Sequence, residues 1–158
     1  MSGPTLFLIC GLPGAGKTTL ARQIERERPA LRLCPDEWIA AILADPSDRA
    51  ELDRLRGPVE KIQWDVAKRA LCLGVDVVLE FGFWSKAERE FFRREARALG
   101  ARVELRYLEV SREELLRRLA QRNASLPPGT FTVSAEELNR WWDWFEPPTP
   151  DEFDENRP

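Results

Sequence analysis

The stretch CGLPGAGKTTL, residues 10–20, sets Gly11, then four residues, then Gly16-Lys17-Thr18, the spacing of a phosphate-binding loop. Glycine tolerates unusual backbone angles and close approach, so the N–H groups of Gly14 to Thr18 can wrap a phosphate. In that arrangement Lys17 reaches the β- and γ-oxygens, and the Thr18 hydroxyl completes a Mg²⁺ shell. A helix starting here adds about half an elementary positive charge at its N-terminus. The candidate nucleotide-binding residues are therefore Gly11, Pro13, Gly14, Ala15, Gly16, Lys17, Thr18 and Thr19.

The chain has no histidine, so any general base must be Asp or Glu. Arg118 and Arg122 stand four apart and share a helical face, where like charges repel unless an anion lies between them. Cys10, Cys34 and Cys72 lack metal-ligand spacing; buried free thiols in a reducing cytosol are expected. The formal charge of -3 with no lysine-rich run argues against a general nucleic-acid coat. No apolar run reaches the ~18 residues of a membrane span. The N-terminal stretch reads as a strand rather than a signal peptide, so a cytoplasmic protein is expected.

At 158 residues the chain suits one core. TLFLIC, 5–10, is a continuous apolar run, as in a parallel strand buried on both faces. A helix is expected from Gly16 to about Arg28, and LRLCP, 31–35, is a short second strand. Asp36 can cap the helix EWIAAILA. Residues 45–57 read as a polar loop, after which Pro58 opens a helix. That helix is expected to face inward through Val59, Ile62, Val66, Ala70 and Leu73, with Gly74 as its stop. VDVVLE, 75–80, and RVELRYLEV, 102–110, are strands three and four. Ser85 with Glu88, Ser111 with Glu114, and Ser134 with Glu137 have the spacing of capping boxes. In LNRWWDWFEPP, 138–148, Leu138, Trp141 or Trp142, and Phe145 suit a core; a flat wall for an aromatic or sugar acceptor is the alternative. The order β-α-β-α-α-β-α-β-α-α implies a single-domain α/β fold with a parallel sheet of four or five strands flanked by helices. Residues 147–158, acidic and Pro-rich, are expected to form a loosely ordered tail.

A GTPase would carry a base-reading Asn-Lys-x-Asp stretch, which is absent. The chain is also short for an AAA-type motor or a transporter ATPase. GLPGAGKTTLA, CPDEW, VVLEFGFWSKAERE and LEVSREELLRRLAQRN, in that order, resemble the small P-loop kinases, a group that includes chloramphenicol phosphotransferase-like, zeta-toxin-like and polynucleotide-kinase-like members. The similarity spans residues 5–146, so 1–146 is expected to be the P-loop NTPase domain.

The resemblance implies transfer of the ATP γ-phosphate to a small-molecule hydroxyl, with Mg²⁺. It implies that Asp36 is the general base on the acceptor; a helix N-cap is the alternative. Glu80 falls where relatives place an aspartate near the magnesium; contact with the acceptor or a structural partner is the alternative. Arg89 would reach the acceptor pocket or pair with a neighbouring glutamate. Arg118 and Arg122 would belong to a lid closing on the phosphates, alongside Lys17. Glu37, Trp38 and Ile39 follow Asp36 where polynucleotide kinases add an arginine, so a nucleic-acid acceptor is not favoured. A 5′-hydroxyl polynucleotide kinase and a non-enzymatic ATP-binding switch remain the alternatives.

Overall fold

The computed structural model describes residues 2–156. Four parallel strands, β1 (Thr5–Cys10), β2 (Ala30–Leu33), β3 (Asp76–Gly82) and β4 (Arg102–Tyr107), lie in the order β2-β3-β1-β4. The helices are α1 (Lys17–Glu27), α2 (Pro35–Ile42), α3 (Arg49–Cys72), α4 (Lys86–Ala98), α5 (Arg112–Ala124) and α6 (Ala135–Trp144). The chain turns one way from β1 to β2, then crosses β1 on its path from β3 to β4. That reversal opens a crevice beyond the carboxyl end of β1.

Every residue of β1 is buried, as its apolar run requires. Phe7, Ile9 and Val78 meet Ala21 and Ile24 of α1 on one face of the sheet. Leu6, Leu8, Val77 and Leu79 meet Trp64, Ala67, Leu71 and Phe92 of α3 and α4 on the other. Alternation then assigns Glu80 to the α1 face with Val78.

Five expectations need correction. Helix α3 begins at Arg49, not Pro58, because Asp48 caps it by accepting the Glu51 N–H at 3.0 Å. Leu52 and Val59 bury one face of this early segment against Ile39 and Phe131. Pro58 therefore lies inside the helix, where it forfeits one backbone bond. The inward face is also rotated: Ile62 is 54% and Leu73 81% exposed, and Val66 is exposed as well. Val59, Gln63, Trp64, Ala67, Ala70 and Leu71 are the buried set, with alanines where helix and sheet come closest. Gly74 ends the helix as expected, at φ +80° with Val75 N–H donating back to Ala70 O.

Ser85, Ser111 and Ser134 each cap a helix through the N3 backbone N–H, but only Ser134 and Glu137 complete the reciprocal box. Glu114 binds Arg117 and Arg118 instead, and Glu88 borders a cavity. Cys10 and Cys34 are buried, whereas Cys72 is exposed at the end of α3.

The tail is not loose over its first part. Pro150–Phe153 forms a 3-10 turn whose Glu152 is buried against Arg89 of α4 at 2.7 Å. Arg93 donates to the Glu152 carbonyl and Arg97 to that of Glu155. Two buried arginines facing this segment hold it down, a demand that the tail's own composition does not reveal. No helix among the described residues is long and apolar enough to cross a membrane.

Candidate active site

Beyond β1, Gly14 and Gly16 adopt φ of +87° and +98°, the left-handed region that glycine enters without strain. A Cβ on Gly14 would press Leu119 of α5 at 3.2 Å, so this loop and α5 are packed together. Gly16 is the N-cap of α1 and supplies no side-chain cap. The first-turn N–H groups of α1 thus face the crevice without intrahelical partners. Ala15 differs from expectation, because its N–H donates to Leu12 O at 3.1 Å. Gly11 N–H likewise donates to Gly82 O at 3.0 Å, anchoring the loop to β3. Pro13, Gly14, Gly16, Lys17, Thr18 and Thr19 line the crevice; Gly11 and Ala15 are buried behind it.

Thr18 Oγ1 donates to Glu80 Oε1 at 2.6 Å, and Glu80 Oε2 is paired with Arg32 at 2.6 Å. The structural partner of Glu80 is therefore Arg32, one strand away in β2. Among the described residues, no group of three or more His, Cys, Asp or Glu could hold a metal by itself. Magnesium in phosphate sites needs only one or two protein oxygens, the rest coming from phosphate and water. The adjoining oxygens of Thr18 and Glu80 fit that requirement.

Lys17 Nζ donates to Leu12 O at 3.0 Å. Burial pulls its ammonium down to about 8, against the opposing attraction of Asp36 and Glu80, while Arg122 adds repulsion. An anionic ligand would favour the charged form. ATP affinity should then be unaffected by the titration of Lys17 below its free pKa and should weaken as pH rises through it. From pH 8.5 to 9.5 the loss expected is about tenfold, because one proton must be taken up on binding. Lys17→Arg should flatten the profile, since guanidinium stays charged. Titration calorimetry over this range, above the protonation of nearby Glu60, measures it; a flat wild-type profile would refute the assignment.

Asp36 occupies the second position of α2, after Pro35, and is not the cap; Cys34 is, without a side-chain bond. The cap reading is thereby removed. The Asp36 carboxylate accepts from Arg56 of α3 at 2.8 Å. Arg118 reaches Gly14 O at 3.3 Å and Arg122 reaches Phe131 O at 3.3 Å. Burial lowers the Arg122 pKa, partly offset by Asp36. Lys17, Thr18, Asp36, Glu80, Arg118 and Arg122 all border one cavity of about 620 Å³. Arg89 does not: it is committed to Glu152 and the Phe83 carbonyl.

Several residues of this cavity lie outside the candidate site residues read from the sequence. Gly82 and Phe83 both have positive φ, at +85° and +52°, and this bend after β3 brings Trp84 to the wall. Trp84 packs on Trp141 at 5.5 Å, so Trp141 serves both packing and wall, whereas Leu138 is wholly core. The loop between α5 and α6 forms the roof. Asn123 ties both the N–H and the C=O of Val133, and a Cβ at Gly129 would strike Glu37 at 2.9 Å. Glu60 and Glu88 also line it; the helical phase of α3 brings Glu60 there, and it could be read only with the sheet in place. Cys34 also lies on the wall, but burial pushes its thiol up to about 12, too high for a nucleophile at neutral pH.

Among solved structures, the fold resembles a chain of the Pnkp1/Rnl/Hen1 RNA repair complex, with TM-score 0.71, 19% identity, and 91% of this chain and 44% of that one covered. It also resembles a gluconokinase from Sinorhizobium meliloti 1021, with TM-score 0.64, 18% identity, and 100% and 86% coverage. A third is Chaetomium thermophilum Kti12 in complex with ADP-AlF3, with TM-score 0.65, 18% identity, and 92% and 82% coverage. At these identities the likeness establishes the fold. The chain spans less than half of the two Pnkp1-complex chains it matches, 44% and 40%. No curated protein matches the chain. A family model described as an AAA domain matches residues 6–148, nearly the whole chain. The chain belongs to this family, AAA_33, a P-loop kinase-like group of AAA domains.

Proposed function

We propose that this chain is an ATP-dependent kinase that phosphorylates a hydroxyl group of a small molecule in the cytoplasm. The observation that carries the reading is the convergence on one cavity of Lys17, Arg118 and Arg122 at the loop end with Asp36 facing them. Cations there would hold the phosphates and stabilise charge that builds up during transfer. Asp36 would accept the acceptor's proton as its oxygen bonds to the γ-phosphorus and the bond to ADP breaks. Thr18 and Glu80 would hold Mg²⁺, which when bound neutralises phosphate charge. Neighbours include a sugar-acid kinase and an RNA repair assembly, so the likeness leaves the acceptor open. The packed roof over the cavity favours a small acceptor over a polynucleotide.

The test is ADP formation across a library of sugars, nucleosides, aminoglycosides, amphenicols and 5′-hydroxyl oligonucleotides. At least one small hydroxyl compound should raise turnover well above the rate with water. Turnover with oligonucleotides alone would overturn the small-molecule reading, and no acceptor at all would favour a switch. Lys17→Ala should weaken ATP binding by at least about tenfold, the loss of a charged hydrogen bond to phosphate. An undiminished thermal shift with Mg-ATP in that variant would remove the loop from the mechanism.

A further inference from the structure

Lys17, Arg118 and Arg122 line the cavity with the phosphate loop. Two further arginines of its lining are already matched, Arg56 by Asp36 and Arg49 by Glu137. Glu60, on α3, and Glu88, in the first turn of α4, add two further carboxylates. Glu60 has no hydrogen bond or ion pair to any described residue. Glu88 forms no ion pair with any described residue; it takes the Trp84 backbone N–H and feels the field of Arg89, which is itself spent on Glu152. The indoles of Trp84 and Trp141 line the same cavity, and Arg49 already lies over Trp141 at 6.0 Å. Carboxylates that form no ion pair, on a cavity that indoles also line, make an environment suited to a cation.

We infer that the acceptor is a hydroxyl compound carrying a protonated amine, seated with its ammonium on Glu60 and Glu88 and its hydroxyl toward Asp36. This assignment rests on the kinase reading above and names the acceptor class for it. The groups facing Glu60 are Arg56 on its own helix, Asp36 on α2 and Glu88 on α4. Burial pushes its carboxyl up to about 7; Arg56 pulls it back, and Glu88 and Asp36 push it further. Glu88 is raised as well, by burial first. An ammonium would reverse the sign of that field and drive the Glu60 proton off near neutral pH. The same two unpaired carboxylates disfavour acceptors that would bring an anionic group against them, including sugar acids and polynucleotide ends.

Matched probes test this on two frames: glucosamine, glucose and glucuronate, and 3-amino-1,2-propanediol, glycerol and glycerate. Binding is measured by calorimetry with a non-hydrolysable ATP analogue and Mg²⁺ in buffers of different ionisation enthalpy, and turnover is measured in parallel with ATP. On at least one frame the amine should bind about tenfold or more tighter than its neutral partner, consistent with a charged hydrogen bond, and the acid should bind weakest. Binding of the amine at pH 7 should release protons. Glu60→Gln should bring amine and neutral compound within about threefold of each other and abolish the release, with Glu88→Gln giving a partial loss. Melting curves establish that both variants are folded. Neutral or acidic compounds binding as well as amines, amine preference surviving in Glu60→Gln, or no amine binding at all would overturn the inference. Lys17-dependent affinity for the ATP analogue, read in the same samples, shows whether the nucleotide site stands regardless. Amines that bind with proton release yet are never phosphorylated would support the subsite and refute the kinase.

Discussion

Asp36→Asn is expected to leave the fold and ATP affinity in place while slowing phosphoryl transfer by about 10²- to 10⁴-fold, the usual worth of general-base assistance. The substitution is nearly isosteric. Asp36 sits in the first turn of α2 as its second residue, so no cap is lost. An asparagine oxygen can still accept from Arg56, which bonds the present carboxylate at 2.8 Å. That pair is roughly 40% exposed on both sides, so solvent screens the loss of charge and stability should change little. What the amide cannot do is take a proton from the acceptor hydroxyl. Single-turnover transfer at saturating acceptor, beside melting and ATP binding, makes the measurement. Near-normal transfer would exclude Asp36 as base and turn attention to Glu60 and Glu80, two of the other carboxylates on the cavity.

Glu152→Ala should destabilise the protein by about 3–5 kcal/mol, the cost of stranding one member of a buried ion pair. The side chains of Arg89 and Glu152 are only 3% and 1% exposed. Without Glu152, Arg89 keeps just the Phe83 carbonyl at 2.8 Å, and the hold of Arg93 on this turn loosens with it. Burial raises the Glu152 pKa, but the bonds from Arg89 and Thr149 outweigh it and hold the carboxyl below its ordinary value. A depressed carboxylate contributes stability above its unfolded pKa, lost as pH falls through the folded one. The wild-type protein should therefore lose this contribution below about pH 4, and the variant should lack that loss. Replacing both partners, Arg89→Met with Glu152→Leu, should recover most of the stability. Urea unfolding of the three proteins decides the matter; a cost below about 1 kcal/mol for Glu152→Ala would mean the tail is not structural.

Local signals carried far in this chain. The phosphate loop depends on a backbone only a few residues long, and Gly14 and Gly16 have the positive φ that such a loop needs. The buried run of β1, the capping serines at 85, 111 and 134, and the stop at Gly74 are likewise settled within about one helical turn or one strand. Together these determine the α/β order and the parallel sheet. The errors arose where a local preference met a distant partner. Pro58 suits a helix start, yet Leu52 and Val59 find Ile39 and Phe131, and that burial draws the helix through it.

The candidate site divides in the same way. Lys17 and Thr18 could be read from spacing, but their surroundings could not. Arg32 pairs with Glu80 because β2 lies beside β3 with Arg32 opposite Val78, which places both side chains on one face two residues apart. Arg89 and Glu152 meet across 63 residues of sequence. Glu60 and Glu88 become cavity carboxylates only after α3 and α4 have packed on the sheet. The sequence by itself determined the phosphate loop and the succession of elements, since both are written in contacts between near neighbours. Which charges are paired, and which carboxylates are left facing the cavity, was decided by strand order and helix phase, because ion pairs and burial act through space rather than along the chain.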